Sequence, residues 1–195
     1  AQTAFWRQQG LAMPVSVNLT VSTLVAPDFI DGLAALLARH PDLPGGTLEL
    51  ELLETETMND LSLVAFCIQA LDKQGVRVSI DDFGTGYSSL SYLQRLPAQI
   101  IKIDQSFVRD MLDNPRDRAL VQGIVGLARA FGRDAVAEGV ESADHAVALG
   151  EMGCDILQGY GVARPMPADA LPAWAAQWTL PASFGRVTEQ LERAQ

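Results

Sequence analysis

The sequence predicts an α/β fold built as a TIM-type (β/α) barrel, with about six of the roughly eight strands that a complete barrel needs. Three observations predict it. Apolar runs of strand length alternate repeatedly with longer stretches of helical period. Within the strands one parity is aliphatic and the other polar. Each strand also ends on a side chain able to ligate a metal or transfer a proton.

The candidate strands cover 15–19, 47–53, 76–81, 99–104, 134–138 and 155–158, and the helical stretches that follow them cover 27–39, 61–73, 90–96, 117–131, 144–152 and 168–178. Ahead of the first strand, Phe5-Trp6-Arg7-Gln8-Gln9-Gly10 reads as the last turns of a helix capped by glycine. The chain opens without Met, which predicts a sequence starting inside a larger protein, or one trimmed or processed. The two strands short of a full barrel are then expected upstream. Val15-Ser16-Val17-Asn18 shows the alternation of parity, repeated in Leu48-Glu49-Leu50-Glu51, Val78-Ser79-Ile80-Asp81 and Ile101-Lys102-Ile103-Asp104. The aliphatic parity is expected to face the covering helices. The polar parity then points inward, and the residue nearest each C-terminal strand end lands at the mouth where such barrels do chemistry. Gly75, Gly132 and Gly153 stand where helices should stop.

Composition bounds the function. The chain has 195 residues, 48% hydrophobic, enough for one domain with a sizeable core. Against 24 acidic residues stand 14 basic ones, a net charge of −10 that leaves no broad basic surface for duplex nucleic acid. Cys67 and Cys154 lie too far apart for a disulfide framework or metal-ligand spacing, and read as small buried hydrophobes in a reducing compartment. No apolar run reaches the roughly 18 residues of a membrane span and nothing resembles a signal peptide, so a soluble chain is expected.

The strand ends collect Asn18, Glu51, Asp81 with Asp82, Lys102 with Asp104, Glu138 and Gln158. One polar residue at a strand end ordinarily starts a turn or caps a helix. A polar residue at the end of every strand is a different matter. If the strands share one mouth, Glu51, Asp81, Asp82 and Glu138 repel one another unless a cation joins them or some are protonated. An oxygen donor set with one Lys and neither Cys nor His suits Mg²⁺ or Mn²⁺ better than zinc.

Asp81-Asp82-Phe83-Gly84-Thr85-Gly86-Tyr87-Ser88-Ser89-Leu90 joins the third strand to its helix, with Ser88 as a candidate cap. With Val17-Asn18-Leu19-Thr20, Glu51-Leu52-Leu53-Glu54, Ile101-Lys102-Ile103-Asp104, Ala137-Glu138-Gly139-Val140-Glu141, Gln158-Gly159-Tyr160 and Arg164-Pro165, this loop resembles the EAL domain, the bacterial phosphodiesterase domain that hydrolyses cyclic di-GMP. The likeness spans roughly residues 1–178, leaving 179–195 as a C-terminal helical tail or linker.

The resemblance implies two divalent ions held by Asn18, Glu51, Asp81, Asp82 and Glu138, with Asp81 bridging. It implies that Lys102 holds the attacking water, that Gln158 supports the site, and that Glu138 can also serve as a base. Glu54 is implied to anchor the loop after the paired aspartates, and Asp104 either contacts substrate, orients Lys102 or opens its loop. Further implications are a linear dinucleotide product, a homodimer through the region of the 81–90 loop, fusion to sensory or GGDEF-type domains, and a cytoplasmic location, in a soluble or membrane-anchored parent.

Two departures stand out. The Glu-Ala-Leu that names the family, whose Glu is a metal ligand, occurs nowhere in the chain, and Leu53 replaces the Thr usual between the two glutamates. The rival readings are a degenerate EAL domain that binds cyclic di-GMP or a protein without cleavage, and an enolase-like metal-dependent barrel, against which the 81–90 loop speaks. Elsewhere, Glu141 is expected to cap the helix after it, His40 and His145 to lie at the surface, and Trp174 with Trp178 to pack onto the barrel.

Overall fold

The computed structural model describes residues 1–57, 60–86, 90–154 and 156–179. The chain divides into two compact units, Ala1–Ile101 and Lys102–Gln195. Its strands follow chain order, β1 (Val15–Asn18), β2 (Leu48–Leu53), β3 (Arg77–Phe83), β4 (Ile100–Ile103), β5 (Asp134–Ala137) and β6 (Ile156–Leu157). Each expected strand forms, with ends shifted by a residue or two. Asp155, the expected first residue of the last strand, lies outside the described residues.

In the first unit β1 pairs parallel with β2, and β2 with β3, in a register that sets Asn18 beside Glu51 and Glu51 beside Ser79. Alternation along a strand therefore brings Asn18, Glu51, Ser79 and Asp81 to one sheet face. Glu49, Glu51 and Ser79 are buried on the polar parity and Leu50, Leu52, Val78 and Ile80 on the aliphatic one, so β2 and β3 are covered on both faces. In β1 the expectation of a covered aliphatic parity fails at Val17, which is 45% exposed, and Ser16 and Asn18 are exposed as well.

The helices of this unit are α1 (Gln2–Gln8), α2 (Val21–Leu24), α3 (Phe29–Ala38), α4 (Glu54–Thr57), α5 (Leu61–Asp72) and α6 (Leu90–Arg95). The Asp60 carboxylate accepts from the Leu63 amide at 3.1 Å and starts α5, whose buried residues Val64, Cys67, Ile68 and Leu71 form one apolar stripe. The short helices α2 and α4 went unanticipated because a single turn has no periodicity to read. Ser88 as a cap lies outside the described residues.

In the second unit β5 and β6 are parallel, with Val136 beside Ile156 and Ala137 beside Leu157. The helices are α7 (Gln105–Asp110), α8 (Pro115–Ala130), α9 (Ala143–Met152) and α10 (Leu171–Gln177). Asn114 caps α8 ahead of Pro115, and Val121, Ile124, Val125 and Ala128 bury its apolar face. Gly153 ends α9 at φ 83°, the left-handed conformation that favours glycine. Cys67 and Cys154 are free and buried, as expected, and burial pushes the Cys67 thiol above its ordinary pKa.

Two expectations need correction. Ser142, rather than Glu141, caps α9, because its hydroxyl accepts from the His145 amide at 3.3 Å. His145 is 7% exposed and belongs to the core; facing both a hydroxyl and a carbonyl, the ring is satisfied without water. The Trp174 and Trp178 rings meet each other, with centroids 6.2 Å apart; α10 buries no residue, and Trp178 is 39% exposed. No helix among the described residues is long and apolar enough to cross a membrane.

Candidate active site

The first unit supplies the oxygen-rich residues. Asn18 ends β1, exposed; Glu51 lies within β2, buried. Strand β3 continues past Asp81 through Asp82 to Phe83, so both aspartates belong to the strand and not to the loop after it. Asp82 holds φ 52°, and among the described residues it is the one non-glycine with positive φ. Asp tolerates this left-handed conformation better than most residues, at a cost of about 1 to 2 kcal/mol. The surrounding bonds retain it. Thr85 donates to the Asp82 carbonyl through its hydroxyl, at 2.8 Å, and through its amide, at 3.3 Å.

Glu54 underpins that turn. Its side chain is fully buried, and its Oε2 accepts from the Gly84 amide at 2.9 Å. A Cβ built on Gly86 would lie 2.6 Å from Glu54 Oε1, so glycine is required for the loop to close over the carboxylate. Glu54 thus bonds the first turn of the loop that follows the paired aspartates. Residues 87–89 lie outside the described residues.

The second unit brings three predicted residues into direct contact. Lys102, on β4 and 3% exposed, places its ammonium 2.7 Å from Glu138 Oε1. The same oxygen accepts from Gln158 Nε2 at 3.3 Å. Backbone pairing sets this geometry: the Glu138 amide donates to the Ile103 carbonyl at 3.2 Å, and the Gln158 amide to the Ala137 carbonyl at 2.8 Å. Glu138 and Gln158 therefore stand just beyond the C-terminal ends of β5 and β6.

Asp104 follows β4 as the cap of α7. Its Oδ1 accepts from the Ser106 amide at 3.0 Å and from the Ser106 hydroxyl. Arg109, further along α7, is raised further above its ordinary pKa by its hydrogen bond to Asp110 and that residue's charge, with smaller contributions from Glu141 and Asp104.

Glycines let the last loop approach this site. A Cβ on Gly159 would meet the Val140 backbone at 2.3 Å, and one on Gly161 the Glu141 backbone at 2.8 Å. The Gln158-Gly159-Tyr160-Gly161 segment thereby packs its main chain onto the segment after Glu138, and the Val140 amide donates to the Gln158 carbonyl at 3.0 Å. The Gly-Tyr-Gly spacing carried that signal in the sequence.

The family profile described as EAL domain matches residues 1–165. The chain belongs to the EAL domain family. The EAL domain of Mycobacterium smegmatis DcpA superposes with a TM-score of 0.86 at 35% identity, over 93% of this chain and 82% of that one. The PaMucR phosphodiesterase in its c-di-GMP complex superposes with a TM-score of 0.81 at 40% identity, over 87% and 69%. The bifunctional diguanylate cyclase/cyclic di-GMP phosphodiesterase MucR of Pseudomonas aeruginosa is 40% identical over 176 residues, 90% of this chain and 26% of that protein. The chain spans less than a third of the length of the curated relatives it matches.

These likenesses establish the expected fold class, an α/β barrel of the EAL kind represented by six parallel strands. Within this EAL domain the departure at Leu53 falls at the end of β2, where the side chain is 39% exposed. Register places Leu53 beside Asp81, and, two residues after Glu51, it lies on the same sheet face as Glu51 and Asp81.

Proposed function

We propose that this EAL domain hydrolyses cyclic di-GMP to linear pGpG with two divalent ions, Mg²⁺ or Mn²⁺, as part of bacterial second-messenger signalling. The observation that carries the reading is the Lys102–Glu138 contact of 2.7 Å, with Lys102 nearly inaccessible to solvent and Gln158 on the same carboxylate oxygen. A buried ammonium held by a carboxylate is a means of orienting a water and receiving its proton. Lys102 would not be kept so dry for surface charge alone.

The donor chemistry fits the ions. Asp81, Asp82 and Glu138 each offer a half-buried carboxylate ligand, and in this reading Asn18 and Glu51 are the further oxygen donors. Such hard oxygen donors suit Mg²⁺ or Mn²⁺. Bound ions would supply charge stabilisation at the phosphodiester and a more acidic attacking water. In this reading Asn18, Glu51, Asp81, Asp82 and Glu138 hold them, and Lys102 donates a hydrogen bond to the attacking water. Glu138 accepts the proton. Gln158 restrains Glu138 so that its Oε1 stays directed at Lys102, and Glu54 keeps the turn at Asp82 closed. Asp104, with Oδ1 committed to α7, has Oδ2 for a substrate contact.

The substrate assignment draws on the relatives, among them MucR, named for its action on cyclic di-GMP. That name also supports fusion of this chain to a cyclase domain. We further assign a homodimer through the region of the 81–90 loop and a cytoplasmic location, which suits two free buried thiols.

Chromatography of cyclic di-GMP incubated with the full-length protein and Mn²⁺ tests the reading. The expected result is a single linear dinucleotide that disappears with a chelator. Tight binding of cyclic di-GMP without product would make the chain a receptor instead.

A further inference from the structure

We propose that His145 is a positioning residue: by bonding Ser142 on one side and the Arg109 carbonyl on the other, it fixes the two segments that carry Lys102 and Glu138. The proposal rests on the phosphodiesterase reading of that pair. His145 Nε2 lies 3.1 Å from the Arg109 carbonyl oxygen, which can only accept, so Nε2 carries a proton. Nδ1 then accepts from the Ser142 hydroxyl at 2.8 Å. The hydroxyl oxygen in turn accepts from the His145 amide at 3.3 Å. Every polar atom of this chain of bonds has a partner in one tautomer, inside the core at 7% exposure.

What the clamp joins gives it consequence. Arg109 lies in the last turn of α7, a helix whose terminal carbonyls lack intrahelical partners, and His145 satisfies one of them. The start of α7 follows β4 directly, so Lys102 stands just before it in the chain. On the other side, Ser142 caps α9, and the segment leading to it begins at Glu138. A second contact binds the same two segments: a Cβ on Gly139 would come 2.7 Å from Gln105 Cβ, so the backbone after Glu138 rests on the first residue of α7. With α7 held at its start by Gly139 and at its end by His145, neither α7 nor the 138–142 segment can shift without disturbing the 2.7 Å ion pair. The signal in the sequence was Ser142 three residues before His145 ahead of an apolar helix, a capping-box spacing with His in the place of Glu or Gln.

The test compares His145→Leu with His145→Gln in the full-length protein, because the Gln amide can donate to the same carbonyl. With cyclic di-GMP and Mn²⁺, His145→Leu is expected to lower kcat about tenfold with KM changed less than about twofold, and His145→Gln to return kcat to within about threefold. Amide hydrogen exchange at Gly139 and Val140 is expected to quicken about tenfold in His145→Leu and to recover in His145→Gln, whether or not cyclic di-GMP is cleaved. Should His145→Leu not fold, Ser142→Ala removes the donor to Nδ1 and is expected to lower kcat about threefold. Equal kcat and equal exchange in all variants overturn the clamp, as does a raised KM at unchanged kcat or a Gln variant no better than Leu. A wild-type protein without turnover that still shows the exchange pattern overturns the phosphodiesterase reading and keeps the clamp.

Discussion

Residues 1–101 carry their functional side chains on three strands locked in register, ending in a left-handed aspartate and a loop closed over buried Glu54. Residues 102–179 carry theirs as Lys102, Glu138 and Gln158, bonded to one another at 2.7 and 3.3 Å. The first arrangement is a scaffold of oxygen donors whose positions are set by main-chain geometry. The second is a group that main-chain pairing brings side by side and whose side chains then bond one another directly. The difference teaches that acquiring cations and moving a proton place separate demands on the fold. Ligands need fixed directions, whereas a proton carrier needs a fixed partner.

If that division holds, the largest loss comes from the scaffold. Asp81→Asn is expected to lower hydrolysis of cyclic di-GMP at least about a thousandfold, the equivalent of the several kcal/mol that bound cations supply, and to weaken Mn²⁺ binding measured by calorimetry. A variant that keeps wild-type turnover would remove the metal assignment.

Lys102→Met addresses the other side. Turnover is expected to fall about 10²- to 10⁴-fold, as when a group acting on a transferred proton is lost, while Mn²⁺ affinity changes little. Because Glu138 keeps only part of its pairing, the thermal transition should also fall, by about 1 to 3 kcal/mol of stability after allowance for the 15% exposure of the Glu138 side chain. Equal damage to metal affinity and turnover would merge the two roles that the comparison separates.

Glu54→Ala tests whether the loop, and not the strand, holds Asp82. The Gly84 amide loses a partner, with an expected cost of about 1 to 3 kcal/mol in chemical denaturation and a 10- to 100-fold weakening, roughly, of Mn²⁺ binding. Leu53→Thr should do least. Its side chain shares the face of Glu51 beside Asp81 but is 39% exposed and offers no ligand atom, so stability should move by less than about 0.5 kcal/mol and turnover by less than about threefold.

From the sequence alone the strand and helix alternation could be read with boundaries good to a few residues, because periodicity and glycine stops are local properties. So could the candidate residues, since Asn18, Glu51, Asp81, Lys102, Glu138 and Gln158, picked out by residue type and spacing, lie on strands or directly beyond them. Some features were beyond that reach. The continuation of β3 through Asp82 depends on a backbone angle that residue type only permits. The burial of His145 depends on which carbonyl waits across the fold, whereas the spacing from Ser142 marks only a helix start. The exposure of Val17 depends on what covers β1, which alternation along that strand cannot reveal.

Chain order and residue chemistry therefore suffice for the architecture and for the inventory of reactive groups, since both follow from short-range regularities. The pairing of Lys102 with Glu138, the support from Gln158 and the seat of His145 were decided only in three dimensions. The physical reason is that a hydrogen bond forms or fails within a few tenths of an ångström, a distance set by the packing of segments remote in the chain.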